Sequence, residues 1–318
     1  MWPLIENYSE LYREALSQLL WRYSEKYSGT QIPSAEFYSE HPVFAGGKNI
    51  FCALDEKGNL LAYAPLFPVP SDAESGLEIP YYIWTVIMVD PDVENQHLAK
   101  DLLLEKACQR AREIKDSLPR GKKVCLAVDC FFDYALEMVY FLGRGFSLIE
   151  NRYQMVRFLC WPIPPKQLPS GIRLVKSTMD SQAEQRSYLK AHNQAFPESP
   201  KNLEVFQYSL WSDQKENNTI NILALDNQEE IVGSITVVVT KKANRKKLGI
   251  IQDVFVLPKW RGKKIARCLM IEGLLYLRDN GVTETYLEVL TENERALNLY
   301  QDLGYTILNP RPVLGLWV

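Results

Sequence analysis

VFVLPKWRGKKIARCLM, from Val254 to Met270, holds an apolar run ending at a proline, a basic turn with one glycine, and the start of a periodic segment. Ile265, Ala266, Leu269, Met270, Gly273, Leu274 and Leu277 recur at the spacing of an amphipathic helix, predicted over Lys263 to Arg278. A strand, a turn and then a helix aim free backbone N–H groups and the positive end of the helix dipole outward, which is how a pyrophosphate is bound. Gly262 permits close backbone approach, Ala266 keeps the first helical turn narrow, and Arg261, Lys263 and Lys264 add positive charge.

Outward from this stretch the pattern continues in both directions. Upstream lie a strand at Ile172 to Lys176, polar-apolar helices at Ser181 to Asn193 and Leu203 to Ser212, and strands at Ile220 to Asp226, Ile231 to Thr240 and Gly249 to Pro258. Downstream come a strand at Thr285 to Leu290, a helix from Glu292 to Leu303, and short strands at Tyr305 to Leu308 and Val313 to Val318. Strand, helix, strand in the middle implies a parallel crossover inside a mixed sheet covered by helices, an α/β (α+β) class. The first half echoes this order. Phe51 to Leu66 resembles the hairpin, Tyr81 to Pro91 the long strand and Leu98 to Ile114 the next helix; Lys123 to Val128, Asp133 to Leu142 and Gly145-Phe146 follow, so an internal duplication is expected.

WPIPPKQLPSG, Trp161 to Gly171, interrupts the pattern with prolines and a glycine. It reads as an extended, exposed linker between a domain at 1–160 and one at 172–318. A length of 318 residues suits two domains, and 47% hydrophobic with 24% charged residues is the balance of a soluble globular protein. A net charge of −3 creates no cationic field, so neither nucleic acid nor membrane is an expected partner. The basic run Lys241, Lys242, Arg245, Lys246, Lys247 reads as a solvated hairpin tip. Six scattered cysteines without ligand spacing read as reduced, buried thiols, and no metal is expected; His41, His97 and His192 read as surface or satisfied histidines. The acidic N-terminus and the lack of an 18-residue apolar run make the cytoplasm the expected location.

The turn Arg261, Gly262, Lys263, Lys264, Ile265, Ala266 resembles the acetyl-CoA signature of the GNAT superfamily, Arg/Gln-x-x-Gly-x-Gly/Ala. Lys264 stands where the family usually has its central glycine. A second block, YLEVLTENERALNLYQDLGY from Tyr286 to Tyr305, is similar to the family's later strand and helix through Asn293, Ala296, Tyr300, Gly304 and Tyr305. The resemblance implies two GNAT-like domains in tandem, with acetyl-CoA as co-substrate and direct attack of a primary amine on the thioester. The acceptor would be a small molecule or a protein or peptide N-terminus, and a homodimer stays open.

The resemblance also implies roles. Tyr300 matches the general acid, since a phenol is protonated at neutral pH and can donate to the departing thiolate; its alternative is a core tyrosine. For the base, Glu288 and Asp253 compete, either of which could instead pair with a cation. Asn293 would hydrogen-bond the pantetheine or its neighbouring backbone, and the amides of Phe255 and Val256 would pair with the pantetheine as an added strand does. The first copy has lost these groups: alignment puts Glu94 at the position of Arg261, His97 at Lys264 and Phe141 at Tyr300, and an acidic turn should repel pyrophosphate. A rival reading makes the protein a weak acyl-CoA-binding sensor or scaffold; another, a transferase that uses aminoacyl-tRNA.

Overall fold

A computed structural model of the chain describes residues 3–26, 32–69, 80–93, 96–130, 133–204, 206–207, 209–210, 217–241 and 247–318. These form two compact units: the described residues within Met1–Ser71 and Glu78–Asn151, together with Arg311–Val318, make the first, and Arg152–Pro310 the second.

In the first unit the strands are β1 (Leu4–Asn7), β2 (Ile50–Leu54), β3 (Leu60–Val69), β4 (Tyr81–Thr85), β5 (Met88–Val89), β6 (Val124–Asp129) and the start of β7 (Ser147–Phe158). β1 to β4 pair antiparallel in sequence order, and β4 pairs parallel with β6. The helix Gln96–Ser117 buries Leu103, Ala107 and Ala111 in one core, and the helix Arg13–Lys26 buries Leu16, Leu19 and Leu20 in another. The expected strand Tyr81 to Pro91 is broken: β4 stays with β6, while β5 turns to pair with Ala62 and Tyr63 of β3.

The second unit contains β8 (Arg173–Ser177), β9 (Asn218–Leu225), β10 (Ile231–Lys241), β11 (Lys247–Val256), β12 (Glu284–Leu290) and the start of β13 (Thr306–Trp317). Its order is β8-β9-β10-β11-β12-β7, where Arg152 to Phe158 of β7 pair with β12. Asp226 makes the β9–β10 turn, its Oδ1 accepting from the N–H groups of Gln228 at 2.9 Å and Glu230 at 3.0 Å. Alternation along β9 sends Ile222 and Ala224 to the core under the helix Ile265–Asp279, and Leu223 and Leu225 to the core under the helix Gln182–Ala195. Gly273 lets the first of these helices lie close to the sheet, for a Cβ there would meet Ile235 Cδ1 at 2.7 Å. Phe206 and Leu210 are buried, but part of the helix expected at Leu203 to Ser212, like residues 242–246 of the basic run and Glu94, lies outside the described residues.

Each unit runs strand, helix, hairpin, strand, helix, strand, helix, so the tandem mixed α/β fold is present. Three boundaries differ from the sequence reading. The two short strands expected at Tyr305 to Leu308 and Val313 to Val318 are one strand, β13 (Thr306–Trp317), whose Val313 to Trp317 pair with β6 in the first unit. The division between units falls inside β7, at Asn151 and Arg152. The proline-rich segment forms neither helix nor strand and belongs to the second unit. It is tied there by Arg157, whose buried guanidinium donates to the carbonyls of Pro162 (2.8 Å) and Leu303, by the Lys166–Glu272 ion pair, and by the Cys268 thiol on Gln167 O. All six cysteines are free; four are buried as expected, whereas Cys108 is partly buried and Cys160 is exposed. Among the described residues no helix is long and apolar enough to cross a membrane.

Candidate active site

β11 and β12 are parallel, yet they pair only Gly249 with Thr285 and Ile250 with Tyr286. Beyond those pairs β11 continues to Val256 and β12 to Leu290, so the strands part and leave β11 without a ladder to β12. Phe255 and Val256 use their other side, pairing with Ser234 and Gly233 of β10. Backbone groups demand partners, and a parted strand pair offers its edge to an extended ligand. A bulge precedes this edge: Ser234 faces Phe255 and Thr236 faces Gln252, so β11 carries one extra residue, and Asp253 within it has φ 51°.

Past β11, Pro258–Trp260 forms a single 3-10 turn, and Arg261 Nε folds back onto Val256 O at 3.1 Å. Gly262 is left-handed, φ 81°, with nothing within 4 Å of the place a Cβ would occupy. Lys264 is left-handed as well, φ 61° and ψ 15°, and gives no side-chain cap to the helix Ile265–Asp279. The backbone thus keeps the glycine conformation that the resemblance expects here, although a lysine stands in it. The first N–H groups of an uncapped helix have no partner within the helix, and here they open onto a turn bearing Arg261, Lys263 and Lys264. Lys263 Nζ lies 4.3 Å over the Trp260 ring, Ile265 is buried, and Ala266 packs against the same core.

The helix Glu294–Asp302 follows β12. Asn293 caps it, Oδ1 accepting from Ala296 N at 3.2 Å, so this carbonyl has a structural duty beside any contact to a ligand. Tyr300 is the one residue of that helix to be buried, and it shares a core with Val256, Ile265 and Val289. Burial pushes its phenol up to about 12, which leaves it protonated at neutral pH. Its ring contacts Tyr305 edge-on, with centroids 6.1 Å apart. Arg267 of the cofactor-type helix reaches Asp302 of this one at 3.8 Å.

The two carboxylates differ. Asp253 Oδ2 is held by Lys201 Nζ at 2.6 Å. Burial would raise its carboxyl, but the Lys201 ammonium, with His192 and Tyr188, more than offsets this and keeps it below the usual range. Glu288 lies on β12 beyond the parting of the strands, opposite Gln154 of β7, with its carboxylate 3.5 Å from Arg152 and 39% exposed. Sequence reading missed the group around Asp253. His192 is buried among Tyr188, Phe196 and Phe255, and Asn193 clamps the Lys201 backbone, Nδ2 donating to Lys201 O at 3.0 Å and Oδ1 accepting from Lys201 N at 2.9 Å. The only signal was adjacency of His192 and Asn193 at the end of a predicted helix, and nothing local points from there to Asp253.

Residues 183–305 match the model of the Acetyltransferase (GNAT) family. Among curated proteins, a mycothiol acetyltransferase of Thermobispora bispora is 28% identical over 177 residues, which cover 52% of this chain and only 57% of that enzyme. Another, of Renibacterium salmoninarum, is 24% identical over 257 residues, covering 77% and 73%. Among solved structures, a GCN5-related N-acetyltransferase of Sphaerobacter thermophilus aligns with TM-score 0.68 and 21% identity over 99% of this chain and 95% of that one. A tandem GNAT protein from the clavulanic acid biosynthesis pathway aligns with TM-score 0.73 and 12% identity over 99% and 97%.

Proposed function

With residues 183–305 an acetyltransferase domain of the GNAT family, we propose that the second unit binds acetyl-CoA along β11 and passes the acetyl group to a primary amine by direct attack. The parted β11–β12 pair carries this reading: its ladder stops after two residue pairs, at Ile250, and farther along β11 Phe255 and Val256 pair with β10 but have no ladder to β12. The uncapped helix end with Gly262 to Ala266 would take the pyrophosphate, and Arg261, anchored on Val256 O, fixes the turn that presents it. Asn293 would offer its amide nitrogen to the pantetheine, because its carbonyl is engaged as a cap.

Acetyl-CoA supplies an acyl group as a thioester. The acceptor ammonium must lose a proton before its nitrogen forms the new amide bond, and the C–S bond then breaks to release a thiolate. Glu288 suits the base: it lies beyond the parting of the strands and is partly exposed, and its ion pair with Arg152, at 3.5 Å, is longer than the 2.6 Å pair that ties Asp253 to Lys201. Tyr300, buried and protonated, gives its proton to the thiolate. Since the curated relatives are named for mycothiol, a small-molecule acceptor is favoured over a protein N-terminus. An acyl-CoA sensor would have no use for a buried neutral phenol, which places that reading second.

Calorimetry with acetyl-CoA tests the site. Micromolar binding to the intact chain, weakened about 10- to 100-fold by Arg261→Glu through loss of a charge-assisted contact, is expected. No binding by the intact chain, or binding indifferent to Arg261→Glu, sinks the proposal.

A further inference from the structure

Asp253 sits in a left-handed backbone, uncommon for a non-glycine residue although aspartate tolerates it better than most. The surroundings are specific. Lys201 Nζ grips its carboxylate at 2.6 Å, and the Lys201 main chain is held on both sides by Asn193 from the end of the helix Gln182–Ala195. From that same helix, His192 and Tyr188 face the pair; the buried Tyr188 hydroxyl makes no well-formed hydrogen bond, although Asp253 and Thr236 of β10 both act on it. Phe255, two residues on, closes the group against His192 and Tyr188. Both charged side chains keep about a third of their surface in solvent, 33% for Lys201 and 29% for Asp253. Asp253 and Val254 together face the single Ile235 across the bulge, and Asp253, the one of the two with a left-handed backbone, is the residue that Lys201 grips.

We propose that Lys201 is a positioning residue for acetyl transfer: clamped by Asn193 and holding Asp253, it keeps the bulge in the form that presents the edge of Phe255 and Val256. The inference rests on the proposed acetyl-CoA site, since it assigns Lys201 to the strand that the pantetheine would join. Asp253 is then an anchor of the strand, and its carboxylate is spent on Lys201 rather than on the acceptor.

Lys201→Met, Lys201→Arg and Asp253→Asn separate the possibilities. In Lys201→Met, acetyl-CoA affinity by calorimetry falls about tenfold and the amides of Val254 and Phe255 exchange faster with solvent; Lys201→Arg restores both to within about threefold. The chain has three histidines, so the His192 imidazole can be followed by NMR. Its titration moves up in Lys201→Met, where a repelling cation is gone, and down in Asp253→Asn, where an attracting anion is gone. A Lys201→Met protein that merely melts earlier, with affinity unchanged, overturns the proposal, as does failure of arginine to rescue. If the intact chain binds no acetyl-CoA, the proposed function fails; amide exchange of Val254 and Phe255 in Lys201→Met then decides by itself whether Lys201 holds the bulge.

Discussion

In the first unit β4 and β6 pair at five successive positions, Tyr81 with Val124 through Thr85 with Val128, whereas the corresponding β11 and β12 of the second unit part after two. The helix ends differ to match. The second unit has the basic turn Arg261 to Lys264; in the first, the segment before the corresponding helix carries Asp90 and Asp92 instead, with Asp90 accepting from Asp92 N and paired to Arg22. Where the second has Tyr300, the first has Phe141 beside Tyr140, and Lys100 lies over both rings, 4.2 Å from the centre of Tyr140 and 5.2 Å from that of Phe141. Burial pushes the Lys100 ammonium down, while Glu137 opposes the shift. The same succession of elements thus makes either an open strand pair or a zipped one. Supplying one lost side chain to the first unit should therefore restore nothing.

That contrast breaks most readily on the general acid. Tyr300→Phe should lower kcat at least 100-fold, the usual worth of a positioned acid, with acetyl-CoA affinity unchanged. Phe141→Tyr should have no effect, because β4 and β6 leave no edge beside it. Steady-state kinetics with any accepted amine checks both. Equal losses in the two variants would show that the first unit takes part in the chemistry.

The next effect is on stability and concerns acid. His41 of the first unit is buried and neutral, its Nδ1 accepting from Val43 N at 3.2 Å, and burial lowers its pKa to about 4. An unfolded histidine titrates near 6.5. Stability is therefore full at neutral pH and is lost as pH falls from about 6.5 to about 4, because the unfolded state takes up the proton first; the loss is about 2–3 kcal/mol. His192 of the second unit is also depressed, mainly by burial and then by Lys201, but Asp253 works against the shift. On acidification from pH 7 to pH 5, hydrogen exchange should open the first unit before the second, and His41→Phe should remove the difference. Simultaneous opening would mean that the two units unfold as one.

Much of this was legible in the sequence. The turn at Arg261 to Ala266, the helix after it and the block from Tyr286 to Tyr305 were readable because their signals are local: periodicity, glycine and proline. In the first copy, Phe141 at the position aligned with Tyr300 was readable in the same way. What could not be read depends on pairing between distant segments. No pattern in Tyr81 to Thr85 or Gly249 to Val256 states how many ladder pairs each makes. Nor does the proline run reveal that Arg157, several residues upstream, will draw it into the second unit, or that the two ends of β13 form one strand. The Lys201–Asp253 pair joins residues 52 apart and is likewise invisible locally.

The smallest effect gives the sharpest comparison, because one substitution at two aligned positions should act with opposite sign. Lys264 precedes its helix at φ 61°, a conformation that costs a non-glycine residue about 1–2 kcal/mol. Its aligned counterpart His97 lies inside the helix Gln96–Ser117. Lys264→Gly relieves the strain but loosens the unfolded chain, leaving a net gain of about 0.5–1 kcal/mol. His97→Gly has no strain to relieve and forfeits helix propensity, a loss of roughly 0.5 kcal/mol. Denaturant midpoints at fixed m-value measure both, and acetyl-CoA affinity should stay within about fivefold for Lys264→Gly, because the backbone that faces the ligand already has glycine's shape. A loss of stability in Lys264→Gly would mean that the lysine side chain itself holds the turn, and the likeness between Lys264 and the glycine of the family signature would then be one of position alone.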